Sequence, residues 1–122
     1  MSEHHVIVAL YVPFQTEEDA IDHWKSLIDP ILDDGNSPDY DTEYDYPRGT
    51  YKGHGIELSW HSKSDTYWIE LILKDYNAIE DDIHGEVITD EKIESLIASL
   101  KSDTGMDFKL IIYGWYDGTD PP

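Results

Sequence analysis

The sequence predicts one α+β domain, a four-stranded antiparallel sheet with two helices packed on one face. Three observations predict it. Four segments have the length and apolar pattern of strands. Two others carry apolar residues at helical spacing behind a capping threonine. Finally, four Trp and nine Tyr in 122 residues supply the buried area that one core of this size needs.

The elements follow in order. Residues 6–12 form a continuous apolar run closed by Pro13, the pattern of a strand buried on both faces. Thr16 then caps a helix with an acidic first turn. Ile21, Trp24, Leu27, Ile28, Ile31 and Leu32 line its apolar side, Pro30 kinks or ends it, and Gly35 closes the segment. Residues 36–53 carry no period and read as a long acidic loop rich in tyrosine. Residues 56–62 and 66–74 read as strands joined by a turn at 62–65. Trp68, Glu70, Ile72 and Lys74 share one face of the second of these. After a second irregular stretch, 75–88, Thr89 caps a helix with the stripe Ile93, Leu96, Ile97 and Leu100, stopped by Gly105. Residues 108–116 are the last strand, and 1–4 and 117–122 are expected to fray. The order β-α-β-β-α-β resembles the split βαβ pattern of ferredoxin-like folds, and the crossover rule then gives a 4-1-3-2 strand order.

Net charge is −19, from 27 acidic against 8 basic residues. Such a field repels anions, so direct binding to bare nucleic acid or to an anionic membrane is not expected, and a basic protein is the natural partner. With no cysteine, disulfides, Cys-ligated zinc, iron–sulfur clusters and thiol catalysis are excluded. No leader-like pattern or bilayer-length apolar run is visible, so a cytoplasmic location is expected. Gly53-His54-Gly55 lacks the strand-turn-helix context of a phosphate loop, and no Gly-x-Ser-x-Gly elbow exists. The strand at 66–72 lacks the basic, glycine-bearing motif of RNA-binding RRM domains. No cofactor is expected.

Strand parity separates two sheet faces. Val6, Val8, Leu10 and Val12, with Phe108, Leu110 and Ile112, are assigned to the helices. The open face then carries Ile7, Ala9, Tyr11, Ile111, Tyr113 and Trp115, joined by Trp68 and Ile72. That surface is too apolar to stay bare. The 36–53 loop, a second copy docked sheet to sheet, or a different protein are the candidate covers.

On residue type alone, Glu57 and His61 share a strand face and are joined by Glu70 from the neighbouring strand, a cluster of general-base or metal-site character that edge solvation also explains. His4 and His5 lack a third metal ligand, and Asp41-x-Glu43-x-Asp45 runs into Tyr46-Pro47 instead of a calcium loop, so no metal is expected. Tyr40, Tyr44, Tyr46 and Tyr51 alternate with Asp39, Asp41, Glu43 and Asp45, which suits a cationic groove. The expected function is therefore an acidic protein-binding module, not an enzyme. It would inhibit a basic protein that acts on nucleic acid, similar in character to toxin-immunity or phage anti-defence proteins. The expected contact residues are Tyr40, Asp41, Glu43, Tyr44, Asp45 and Tyr46, then Trp68, Tyr113 and Trp115. The alternatives are a halophile-adapted dimeric regulatory or ligand-binding domain, and a small enzyme using the His/Glu cluster.

Overall fold

A computed structural model describes residues 3–33, 46–77 and 89–117. Its first strand, β1 (Glu3–Phe14), pairs antiparallel with β4 (Thr66–Asn77) on one side and β5 (Lys109–Asp117) on the other. β3 (His54–His61) pairs with β4, and β2 (Arg48–Tyr51) with β3, so the order is β2-β3-β4-β1-β5. The protein is thus α+β with one antiparallel sheet. Five strands replace the expected four, because part of the segment read as loop is β2. The run Arg48-Gly49-Thr50-Tyr51 has too few apolar residues to show a period, and its pairing is made by the turn that follows it.

In that turn Lys52 and Gly53 both have positive φ, 49° and 81°, the geometry that matches the twist of a two-residue hairpin. The Asp33 carboxylate accepts both turn N–H groups at 2.8 Å, which lowers its pKa from the ordinary aspartate value. The Asp33 N–H donates to the Thr50 carbonyl at 2.8 Å. A Cβ on Gly49 would sit 3.0 Å from both Leu32 methyl carbons, so a side chain there would require Leu32 to shift.

β1 continues through Pro13 instead of ending there. Pairing with β5 stops at Tyr11, so Pro13 has a partner strand on one side only, where a missing N–H is tolerated. Glu3 pairs with Asp117, so the two strands run into segments expected to fray. In β4 the register slips by one between Val8 and Ala9: Val8 faces Lys74, Ala9 faces Ile72, and Leu73 is the extra residue of a bulge.

α1 (Glu17–His23) starts at Thr16, whose hydroxyl accepts the Asp19 N–H at 3.2 Å. The chain then widens into a π turn, Trp24–Ile28, and tightens into a 3-10 turn, Asp29–Ile31, that carries Pro30. Trp24 is fully buried and its indole N–H donates to Asp29 Oδ1 at 3.1 Å. α2 (Asp90–Thr104) is capped by Thr89 and ended by Gly105 at φ 77°. The Tyr51 hydroxyl donates to Asp103 Oδ2 at 2.6 Å and ties β2 to α2. Leu10, Phe14, Trp24, Ile28, Ile56, Leu58, Ile69, Leu71, Leu96, Leu100 and Phe108 form the core between sheet and helices. Leu110 and Ile112, assigned by parity to that core, are instead 45% and 63% exposed: parity fixes the face a side chain points to and not whether anything covers it. Among the described residues no helix is long and apolar enough to cross a membrane.

Candidate functional site

The face opposite the helices collects side chains from four strands. Register places Glu57 opposite Glu70 and Ser59 opposite Trp68 across β3 and β4. It places Tyr11 opposite Glu70, Ala9 opposite Ile72 and Ile7 opposite Asp75 across β4 and β1. On the far side of β1, Tyr113 faces Ile7 and Ile111 faces Ala9. Because of the bulge, Asp75 occupies this face; an unbroken strand would have put Lys74 there, as the sequence reading had it.

Although the face is open, Ile7 and Ala9 are buried, at 5% and 0% exposure. Aromatic rings cover them. Trp68 stacks on His61 with centroids 3.5 Å apart and planes at 23°. Tyr113 meets both edge-on, at 5.6 and 5.5 Å, and Tyr11 lies 4.5 Å from Trp68. Tyr113 on β5 reaches the β4 residue Glu70 by passing over β1, where the small side chain of Ala9 lies between them in register.

Glu70 is the centre of the arrangement. It is 1% exposed, which is rare for a carboxylate without a full set of donors. Its Oε1 accepts the Tyr113 hydroxyl at 2.7 Å. Its Oε2 is buried with no hydrogen-bond partner. His61 Nε2 lies 3.4 Å from that oxygen, within ion-pair distance for a protonated ring but without hydrogen-bond geometry; the same nitrogen is 3.0 Å from Ser59 Oγ. Two carboxylates directly opposite each other across β3 and β4 repel. Burial, reinforced by Glu70, pushes the Glu57 carboxyl above the usual range, with Arg48 pulling it the other way. Burial and the Glu70 carboxylate likewise push the Tyr113 phenol well above its ordinary value.

These residues line a groove of about 510 Å³, together with Ile7, Ile72, Asp75 and the β3–β4 turn. Its size is that of a small-ligand pocket, about 300–1,000 Å³. No group of three or more His, Asp or Glu side chains among the described residues could hold a metal ion.

Of the expected contact residues, Trp68 and Tyr113 meet at this groove. Tyr40, Asp41, Glu43, Tyr44 and Asp45 lie outside the described residues. Tyr46 does not join the open face: it packs on the helix-side core and meets Tyr67 edge-on at 6.3 Å. Trp115 occupies a β5 position opposite His5, and its side chain is outside the described set. Glu57, His61 and Glu70, which sequence parity had grouped, are brought together. Their link to Tyr113 escaped the sequence, since it spans two strands and 43 positions. Compared with protein-family models, with curated proteins and with solved structures, the chain matches none, so a reading of its function rests on this groove and its charge.

Proposed function

We propose that the domain is an acidic binding module that engages a basic protein through the open sheet face, and that it inhibits a partner acting on nucleic acid. The observation that carries this reading is Glu70, a buried carboxylate with an unpartnered oxygen in a groove walled by Trp68 and Tyr113. Aromatic walls supply the contact area typical of interface hot spots. The net charge of −19 steers cationic surfaces toward it and weakens the homodimer alternative, because two such faces would bring like charges together. On this reading the fold is a ferredoxin-like sheet extended by β2 at one edge, and the protein works in the cytoplasm beside its partner.

The test is affinity enrichment from the native cell with the wild-type chain and a Trp68→Ala, Tyr113→Ala double variant. The expected result is a basic, nucleic-acid-acting protein retained by the wild type, lost with the variant and inhibited on addition of the wild type. If the same basic proteins bind both chains, the open face is not the site. Loss of binding on Tyr44→Ala, Asp45→Ala instead would move the contact to residues 40–45. Salt discriminates the halophile alternative: steered binding weakens as ionic strength rises, whereas a brine-adapted domain gains stability.

A second reading, a small enzyme, is favoured by one observation: Glu57, His61 and Glu70 converge in the groove, and Glu57 has a raised proton affinity suited to acid–base work. It predicts a turnover that His61→Ala abolishes while partner capture persists.

A further inference from the structure

We propose that the groove beside Glu70 is a guanidinium-binding subsite, which receives an arginine side chain of the basic partner. The inference rests on the function proposed above and names the chemistry of its central contact.

Two features call for a cation. Glu70 Oε2 is buried without a donor, which costs more than an exposed carboxylate because its lost hydration is not replaced. Glu57 stands directly across from it, and Asp75 lines the same groove. Among the described residues none of the chain's own cations makes a hydrogen bond to Oε2; Lys109 lies on this same face, in the row of Tyr11 and Glu70, but is exposed on β5 two strands away. The Leu73 bulge turns Lys74 to the face of Val8 and away from Glu70. Arg48 pairs with Glu57 from the far side, on β2. Lys63 sits exposed on the rim turn, and His61 approaches Oε2 without hydrogen-bond geometry. The aromatic rings beside the two carboxylates suit an organic cation.

Shape separates guanidinium from ammonium. The walls are flat rings: Trp68 and His61 stack in contact and Tyr113 meets both edge-on, so a planar guanidinium can lie against an outer ring face though not between the rings. A fork of donors can span Glu57 and, once the rings that close it from water part, Glu70 Oε2, which a single point charge does less well.

The full ¹⁵N-labelled chain is titrated at low ionic strength with N-acetyl-arginine amide, its lysine counterpart and the neutral citrulline counterpart. Saturable shifts centred on the Trp68 indole N–H, His61 and Tyr113 are expected for arginine, weaker ones for lysine, and none for citrulline. Glu70→Gln is expected to weaken arginine binding by about tenfold or more. Should that variant lose its dispersed spectrum, Glu57→Gln serves instead and is expected to weaken binding severalfold. Absence of saturable arginine shifts, equal shifts from citrulline or lysine, or unaltered binding in a folded Glu70→Gln chain would overturn the subsite. Partner capture by the open face without arginine binding removes the subsite and leaves the protein-binding function. Arginine binding without any partner removes that function and leaves a site for a free guanidino compound.

Discussion

The Tyr113 hydroxyl donates a 2.7 Å hydrogen bond to Glu70 Oε1 from two strands away. Among the described residues it is the one hydrogen-bond donor to a carboxylate buried at the middle of the sheet. Tyr113→Phe leaves both Glu70 oxygens without a hydrogen bond. We expect a loss of about 1–3 kcal/mol in urea unfolding, with native far-UV circular dichroism retained. The same bond fixes a sign at high pH. Tyr113 keeps its proton in the fold beyond the pH, about 10, where an unfolded tyrosine loses it, so its contribution declines as pH rises above that point. The stability of the wild type should therefore drop more steeply than that of Tyr113→Phe above pH 10. Parallel alkaline profiles would show that the phenol is not held as described.

Glu57→Gln removes one of two facing carboxylates. Because the folded state raises the proton affinity of Glu57, the native chain binds this proton first as pH falls, and its stability at this site increases from neutral pH toward the ordinary carboxylate range near pH 4.3. The Gln variant should lose that slope and gain a few tenths to about 1 kcal/mol at neutral pH. Chemical denaturation at several pH values measures both, and a variant less stable than wild type at pH 7 would mean that attraction to Arg48 outweighs the repulsion.

Ala9 is fully buried under the ring that bridges β5 to β4. Ala9→Leu fills the path of Tyr113. Overpacking of this kind costs about 1–3 kcal/mol. The distinguishing readout is the Trp68 indole N–H resonance, which should move as the neighbouring rings are displaced, while the α2 amides stay put.

Asp33→Asn weakens the anionic clamp on the β2–β3 turn. Asp33 is ionised at lower pH than an unfolded aspartate, so its stabilisation is present above about pH 3.9 and disappears as pH falls through the lowered value. A reduced Tm at neutral pH, and a smaller difference between variant and wild type in strong acid, are the expected outcomes.

Much of this was readable in the residues themselves. Period-2 alternation placed Ile7, Ala9, Tyr11, Trp68 and Tyr113 on one face, and the order of the four long strands followed from their connections. Thr16, Thr89 and Gly105 marked helix ends by local chemistry. What was not readable depends on contacts between distant segments. β2 is too short for periodicity and exists through the Asp33 clamp. The bulge at Leu73 exchanges Lys74 for Asp75 with no sequence mark of its own. A strand glutamate reads as solvated, and only the arrival of Tyr113 over Ala9 buries Glu70.

Outer β5 gives the acidity a further consequence. In the described sheet this strand is an edge, and it shows Leu110 and Ile112 to water. Sticky rims of this kind template growth from one molecule to the next unless something keeps neighbours apart. At −19 per chain, mutual repulsion does so, and concentrated salt would strip that colloidal shield away before it loosens any contact inside the molecule.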